Sequence, residues 1–318
     1  MPALPPFVQS LDHGIHVIDT GFHRPAFDAS YLIVEEGRAA FVDTGTNHAV
    51  PRLLAALDAL GLQPADVEHV IPTHVHLDHA GGVGLLMQHL PRATLVVHPR
   101  GARHLIDPTA LIQGATAVYG ADEIERSYGQ IVGVDAARVV TTHDGMRLSL
   151  AGRDLLFFDT PGHARHHHCI WDERSRGFFT GDTFGLSYRE FDTAQGPWLL
   201  PTTTPVQFEP EALRASVDRL LAQQPQSLYL THFGQVTNVP RLGAMFMEQL
   251  DQVVALGRRL RQHPDRHAAL RRGLLDQYLE RTTRHGCALA AHQVESLLAM
   301  DTELNAQGMA IWLDKEAT

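Results

Sequence analysis

The stretch HVHLDHAGG, residues 74–82, places four metal-ligand side chains within six positions and follows them with two glycines. The segment before it, VEHVIPTH at 67–74, predicts a buried strand because it is apolar and rich in β-branched residues. Ligand-type side chains directly after a strand are held in place by the sheet and can face a shared cleft. The chain must therefore fold so that a strand end opens onto such a cleft.

Spacing within this stretch predicts two metal positions. On a tight loop alternate residues point the same way, so His74 and His76 can share one ion. Asp78 and His79 come one step later and can reach a second ion. Neutral imidazole and carboxylate suit zinc, iron or manganese, whereas calcium and magnesium prefer all-oxygen sites.

Three more ligand-type residues each follow a predicted strand and lie beside or near a glycine. They are His163 in DTPGH, Asp182 in FTGDTFG and His232 in LYLTHFG. A sheet can present all three to the same cleft as the first cluster.

Composition excludes several other classes of function. The formal charge is −10, from 36 acidic and 26 basic residues, which disfavours binding to nucleic acid or to an anionic membrane. Two cysteines do not make a disulfide framework. The N-terminal residues show no signal peptide and no long apolar run, so we expect a cytoplasmic protein without a membrane span.

Both halves of the first 238 residues begin with strands and continue with helices. In the first half we predict strands at 14–21, 29–37, 38–45, 67–74 and 93–99, with helices at 51–62 and 81–90. In the second half we predict hairpins at 146–163, turning at Ala151-Gly152, and at 167–184, then a helix at 209–223 and a strand at 226–234. This order favours two packed sheets with helices outside.

After residue 238 the apolar residues follow a helical period to the end of the chain, with breaks near Pro264 and Gly286. We therefore predict two domains, a catalytic domain at 1–238 and a helical C-terminal extension at 239–318. The extension could cap the site or form the surface of a homodimer.

The four separate motifs together resemble the metallo-β-lactamase superfamily. They are HxHxDH at 74–79, TPGH at 160–163, GDT at 181–183 and the late His232, and the resemblance covers roughly residues 14–238. It implies an α/β (α+β) fold, a four-layer αββα sandwich, with a dinuclear metal site. It also implies a ligand set for the two ions: His74, His76 and His163 for the first, Asp78, His79 and His232 for the second, and Asp182 as the bridge.

The resemblance also implies roles for residues near the ligands. Asp43, in FVDTG, matches a family segment and is expected to hydrogen-bond a ligand histidine. His167 lies four residues beyond His163, where relatives carry a second histidine, although His166 could take that place. Asp78 is expected to orient the nucleophile or to move a proton. Independently of the resemblance, the aromatic segment 184–205 makes Tyr188 the candidate hydroxyl beside the substrate oxygen.

The activity implied is that of a dinuclear metallo-hydrolase. Two cations about 3.5–4 Å apart lower the pKa of a shared water from about 15.7 toward neutrality, and the hydroxide attacks an ester-like bond of a lactone or thioester. Zinc is the default, with iron or manganese as alternatives. Quorum-quenching lactonases and glyoxalase II types share the HxHxDH form, and the lactonase type matches better because no glutathione-binding basic residues are recognisable in the tail. A persulfide dioxygenase-like iron enzyme and a phosphodiesterase or β-lactamase remain alternatives.

Two aromatic segments, at 108–129 and 184–205, are candidates for loops that wall a pocket. They would favour a small-molecule substrate with an apolar group. The other interpretation, equally weighted, is that the aromatic residues pack against the helical tail. Four of these residues are Phe184, Tyr188, Phe191 and Trp198.

Overall fold

The computed structural model describes residues 4–203 and 206–316, without the side chains of residues 118 and 119. The last two residues of the aromatic segment 184–205 and of the predicted helical extension lie outside these ranges. Contacts divide the chain into two compact units. The first holds the residues up to Asp159, then His166–Gly181 and Gln226–Gln235, and the second holds Thr160–Arg165, Asp182–Pro225 and the chain from Val236 onward.

The first sheet has seven strands among the described residues, arranged in chain order. They are β1 (Val8–Ser10), β2 (Ile15–Asp19), β3 (Ala29–Glu35), β4 (Arg38–Val42), β5 (Val67–Ile71), β6 (Thr94–Val97) and β7 (Val139–Thr141). Strands β1 to β4 are antiparallel neighbours, and β4 to β7 are parallel. Because parallel strands end at the same edge, the residues that follow β4, β5 and β6 lie along one edge of the sheet.

The second sheet has six strands among the described residues, in the order β13-β12-β11-β10-β9-β8. They are β8 (Arg147–Leu150), β9 (Arg153–Asp159), β10 (His168–Asp172), β11 (Gly177–Gly181), β12 (Ser227–Leu230) and β13 (Gly234–Thr237). Ala151 and Gly152 both have positive φ, 49° and 89°, as a two-residue type I′ hairpin turn requires. Both predicted hairpins, β8–β9 and β10–β11, are confirmed.

A buried aromatic core joins the two sheets. The Tyr31 ring of β3 lies edge-on to Phe179 and Tyr229 of the second sheet, with centroids 5.2 Å and 5.8 Å away. The Tyr31 hydroxyl donates to the Leu230 carbonyl at 2.5 Å. Burial of each such ring stabilises the fold by roughly 1.5–3 kcal/mol. The predicted pair of packed sheets is therefore confirmed.

The first unit has six α-helices among the described residues. They are α1 (Val50–Ala59), α2 (Leu77–Ala80), α3 (Val83–His89), α4 (Pro99–Ile106), α5 (Thr109–Tyr119) and α6 (Ala121–Tyr128). In α1 the buried residues Leu53, Ala56 and Leu57 recur at helical spacing and join the core that contains Phe41 and Val70. The prediction of a loop at 108–129 is wrong, because α5 and α6 fill that segment.

The second unit is mainly helical. Its helices are α7 (Pro210–Leu221), α8 (Val239–Leu260), α9 (Arg266–Arg284), α10 (Ala291–Leu297) and α11 (Ala299–Lys315). The predicted breaks near Pro264 and Gly286 are confirmed, since both residues lie outside these helices. In the described part of the chain, no helix combines the length and the apolar character that a membrane crossing needs.

Candidate metal centre

The first cluster lies where β5 ends and a short helix begins. His76 is the N-cap residue of α2, so Asp78 and His79 stand on a helical turn rather than on an open loop. Gly82 follows this turn where the chain runs close to Thr46, and a Cβ there would lie 2.7 Å from the Thr46 carbonyl oxygen. Only glycine fits without a shift, and α3 starts at the next residue.

His74 and His76 face each other through their ring nitrogens. His74 Nε2 lies 2.9 Å from His76 Nδ1, and His74 is fully buried. The other nitrogen of His74, Nδ1, lies 3.2 Å from the Thr73 hydroxyl oxygen. Two imidazole nitrogens this close either share a hydrogen bond or can bind the same metal ion.

A second group, within the same unit, consists of Asp78, His79 and His232. One ligand atom of each residue lies within 4.8 Å of the others. Asp78 Oδ2 is 3.5 Å from His232 Nε2 and 3.7 Å from His79 Nε2. Two imidazoles and one carboxylate are the donors that zinc, iron and manganese accept, so the group fits a divalent transition-metal ion.

Asp43 ties this group to three strand ends. Its Oδ2 lies 3.0 Å from His79 Nδ1 and accepts the Thr231 hydroxyl at 2.7 Å. Its Oδ1 accepts the Thr73 amide at 2.7 Å. A carboxylate beside Nδ1 makes that nitrogen the proton donor, an assignment that follows from its partner, and leaves Nε2 with the lone pair that binds metal. His232 is oriented in the same way, because its Nδ1 lies 3.0 Å from the Phe27 carbonyl oxygen.

The second unit brings together the two other predicted ligands. His163 Nε2 lies 3.5 Å from Asp182 Oδ2, and both side chains are buried. Gly162, just before His163, has φ 129° and a Cβ there would meet the Leu213 amide nitrogen at 2.2 Å. The TPGH motif therefore needs its glycine in order to pass the start of α7.

The histidines after His163 are buried rather than solvent-facing. The His167 ring stacks on His74 with centroids 4.8 Å apart, and His166 lies parallel to His74 at 6.2 Å. Burial lowers the pKa of His166 to about 3, and the neighbouring His76 adds to this shift. His168 packs against Phe157 and shares a hydrogen bond of 3.0 Å with Thr142. Both His166 and His168 are therefore packed inside the fold.

The aromatic residues of the segment 184–205 contact the helical tail within the second unit. Phe184 lies 5.5 Å from Phe246 of α8, and Trp198 lies 6.4 Å from Tyr278 of α9. The buried Tyr188 hydroxyl donates to Asp301 of α11 at 3.0 Å. Packing against the tail is therefore observed, and the catalytic role of Tyr188 stays a prediction.

One buried carboxyl near the site was not singled out from the sequence. Asp28 is fully buried and accepts the Thr20 hydroxyl at 2.7 Å. Burial raises its pKa to about 7, while the charges of His232 and His79 oppose that rise. No motif surrounds Asp28 in FDASY, so only the fold shows that it lies within reach of the site's charges.

The sequence of the chain is similar to a known protein family and to several known proteins. The family model described as the metallo-beta-lactamase superfamily matches residues 17–232, more than half of the chain. The hydroxyacylglutathione hydrolase of Klebsiella pneumoniae subsp. pneumoniae is 33% identical over 163 residues, which cover 50% of this chain and 49% of that protein. The match thus spans about half the length of that relative. A metallo-beta-lactamase fold-containing protein of Sulfurisphaera tokodaii is 24% identical over 242 residues, 74% of this chain and 84% of that protein.

Solved structures show the same fold. An archaeal metallo-beta-lactamase superfamily protein from Sulfolobus tokodaii aligns with a TM-score of 0.64 at 21% identity, over 94% of this chain and 99% of that chain. A metallo-beta-lactamase family protein from Thermus thermophilus aligns with a TM-score of 0.65 at 21% identity, over 96% of this chain and 94% of that chain. With the family match, the paired sheets and the histidine–aspartate groups at the strand ends, the chain belongs to the metallo-beta-lactamase superfamily.

Proposed function

We propose that the chain is a hydrolase that uses two divalent metal ions to cleave an ester-like bond, a thioester or a lactone. The group of Asp78, His79 and His232 carries the proposal, because its donors converge and both histidines are oriented through Nδ1. Our assignment gives this group to one ion. For the other ion the sequence prediction names His74, His76 and His163, with Asp182 as the expected bridge. Zinc is the expected metal, with iron or manganese as alternatives.

Bound divalent ions supply Lewis-acid activation of water and of the substrate carbonyl. The protein side chains then have distinct tasks. Asp78 is 26% exposed at its side chain, whereas His79 is fully buried, so Asp78 can meet incoming water and accept its proton. Asp43 keeps His79 in one tautomer through the Nδ1 contact. His167, which stacks on His74, limits the rotation of that ring.

Two observations support an ester-like substrate. The Klebsiella relative is a hydroxyacylglutathione hydrolase, so a thioester is the first substrate class to test. The formal charge of −10 disfavours long polyanionic substrates, because a nucleic acid needs a basic surface. A lactone remains the second class, since it presents the same carbonyl to the same donors.

The cytoplasm stays the predicted compartment of the protein. A homodimer stays one of the two predicted uses of the helical extension.

Metal analysis and an activity panel test the proposal on one sample. The protein is purified without chelator, its metals are measured, and it is assayed with thioesters, lactones, phosphodiesters and a chromogenic β-lactam. We expect two metal ions per chain and turnover of a thioester or lactone. The variant His76→Ala should lose activity, while His89→Ala, on an exposed part of α3, should keep it. One iron per chain with oxygen uptake on a persulfide would contradict the hydrolase assignment.

A further inference from the structure

A cavity of about 290 Å³ lies within the first unit and belongs to no motif. Its volume is close to the lower bound of typical small-molecule sites, about 300 Å³. Three segments build it, the turn after β2, the turn before α1 and the end of α6. The lining residues are Thr20, Gly21, Phe22, His23, Thr46, His48, Arg126 and Ser127.

One wall of the cavity leads back to the candidate metal ligands. The centroid of the Phe27 ring lies 5.3 Å from that of His232. The ring centroids of Phe22 and His23 lie 6.0 Å and 5.2 Å from that of Phe27, respectively. Burial lowers the pKa of His23, and the charge of Asp78 opposes this shift. These ring contacts connect the wall of the cavity to His232.

A second wall is formed by the C-terminal end of α6, where the Arg126 guanidinium offers hydrogen-bond donors. Two polar contacts hold this wall against the turn before α1. His48 Nε2 lies 3.1 Å from the Arg126 carbonyl oxygen. The Asn47 side-chain amide donates to the Gln130 carbonyl at 2.5 Å. The Arg126 guanidinium pairs with Glu123, and its side chain is 76% exposed. A guanidinium has five N–H donors, so this pairing leaves others for a ligand.

We propose that this cavity binds the acyl part of the substrate and that this acyl group ends in a carboxylate, which Arg126 recognises. The inference rests on the proposed function, because it places the reacting carbonyl at Asp78 and His232. The carbon chain would then lie along Phe22, and the anionic end would reach α6. A short dicarboxylic acid, esterified at one end, has this form.

The test compares two esters that differ only at the far end of the acyl chain, p-nitrophenyl hemisuccinate and p-nitrophenyl butyrate. We expect Arg126→Gln to lower the ratio of their kcat/KM values by about three- to fivefold, through KM, as fits an ion contact at an exposed side chain. Arg126→Lys should retain most of the preference. Arg284→Gln, which also removes an exposed arginine paired within its helix, should leave the ratio unchanged. Added salt should weaken the preference.

The outcomes separate the cavity from the reaction. Equal ratios in the wild type and Arg126→Gln, with both esters hydrolysed, would overturn the cavity assignment and leave the hydrolase assignment standing. If the metal-loaded protein hydrolyses neither ester nor any member of the activity panel, the proposed function fails. In that case calorimetry with succinate decides the cavity: weaker binding to Arg126→Gln supports it, and equal binding overturns it.

Discussion

At the scale of single residues, the candidate ligands depend on partners of which only Asp43 was predicted from the sequence. The spacing of HVHLDH predicted His79 as a ligand, and the position of His232 after a strand, with the family resemblance, predicted the other. Their orientation depends on the Phe27 carbonyl and on Asp43, which Thr73 and Thr231 hold in turn. These contacts join strand ends far apart in the chain. The sequence could therefore predict the donors but not most of the groups that aim them.

Asp43→Asn tests the most connected of these groups. Asp43 has a left-handed φ of 55°, which asparagine tolerates, so the backbone should persist. The variant places a neutral amide beside His79 Nδ1. We expect metal affinity to fall by about 10–100-fold, the usual effect of losing such a partner.

Competition with a chromogenic chelator measures this affinity. Asp58→Asn, on the exposed face of α1, is the matched control and should bind metal as the wild type does. Unchanged affinity in Asp43→Asn would show that Asp43 does not position His79.

The buried ring of His168 should make the free energy of unfolding depend on pH. Burial lowers its pKa from 6.5 to about 3, and the charge of His98 adds to the shift. In the unfolded chain the ring takes a proton once the pH falls below 6.5, whereas in the folded chain it stays neutral. The contribution of His168 to the free energy of unfolding is therefore full above pH 6.5 and is lost as the pH falls toward 3. The loss between pH 7.5 and pH 5 is about 2 kcal/mol.

Urea unfolding of the wild type and His168→Asn at pH 7.5 and 5, in the same chelator-containing buffer, checks this value. The difference between the two proteins should shrink by about 2 kcal/mol at the lower pH. His89→Asn, whose ring is exposed, should show no such change. A constant difference for His168→Asn would mean that the ring is protonated in the folded protein.

At the scale of elements, strands with a clear apolar pattern were predictable and short ones were not. The segment VEHVIPTH predicted β5, but β1 and β7 have three residues each, too few for a pattern. Neighbouring strands supply their hydrogen bonds, so tertiary context decides them. The helices α5 and α6 were missed because 108–129 was interpreted through its aromatic residues.

The buried side chain of Asn305 connects helices of the C-terminal tail through hydrogen bonds. Its side chain accepts the Thr203 amide at 2.6 Å and donates to the Tyr278 hydroxyl at 3.0 Å, which links α11 to α9 and to the segment before α7. Asn305→Ala leaves these buried groups without that partner. We expect the free energy of unfolding to fall by about 2–4 kcal/mol.

Chemical denaturation measures the loss. Gln307→Ala, on the same helix, is the control, because Gln307 is only half-buried and contacts Glu303 within α11. A loss no greater in Asn305→Ala than in the control would show that the buried bonds contribute little.

At the scale of the whole molecule, the order of strands and helices was enough to predict two packed sheets followed by helices. The grouping into compact units was not predictable in the same way, because it depends on contacts between residues far apart in the chain. The apolar pattern becomes helical after residue 238, but the contacts place Asp182–Pro225 with the C-terminal helices.

The division into these two units has a consequence for truncated versions of the protein. A fragment confined to the family match, residues 17–232, would still encode His163 and Asp182. It would lack the tail helices against which Phe184, Tyr188 and Trp198 pack, and these three residues closely follow Asp182. The C-terminal helices are therefore more than an accessory, since the segment that follows the candidate ligand Asp182 packs against them.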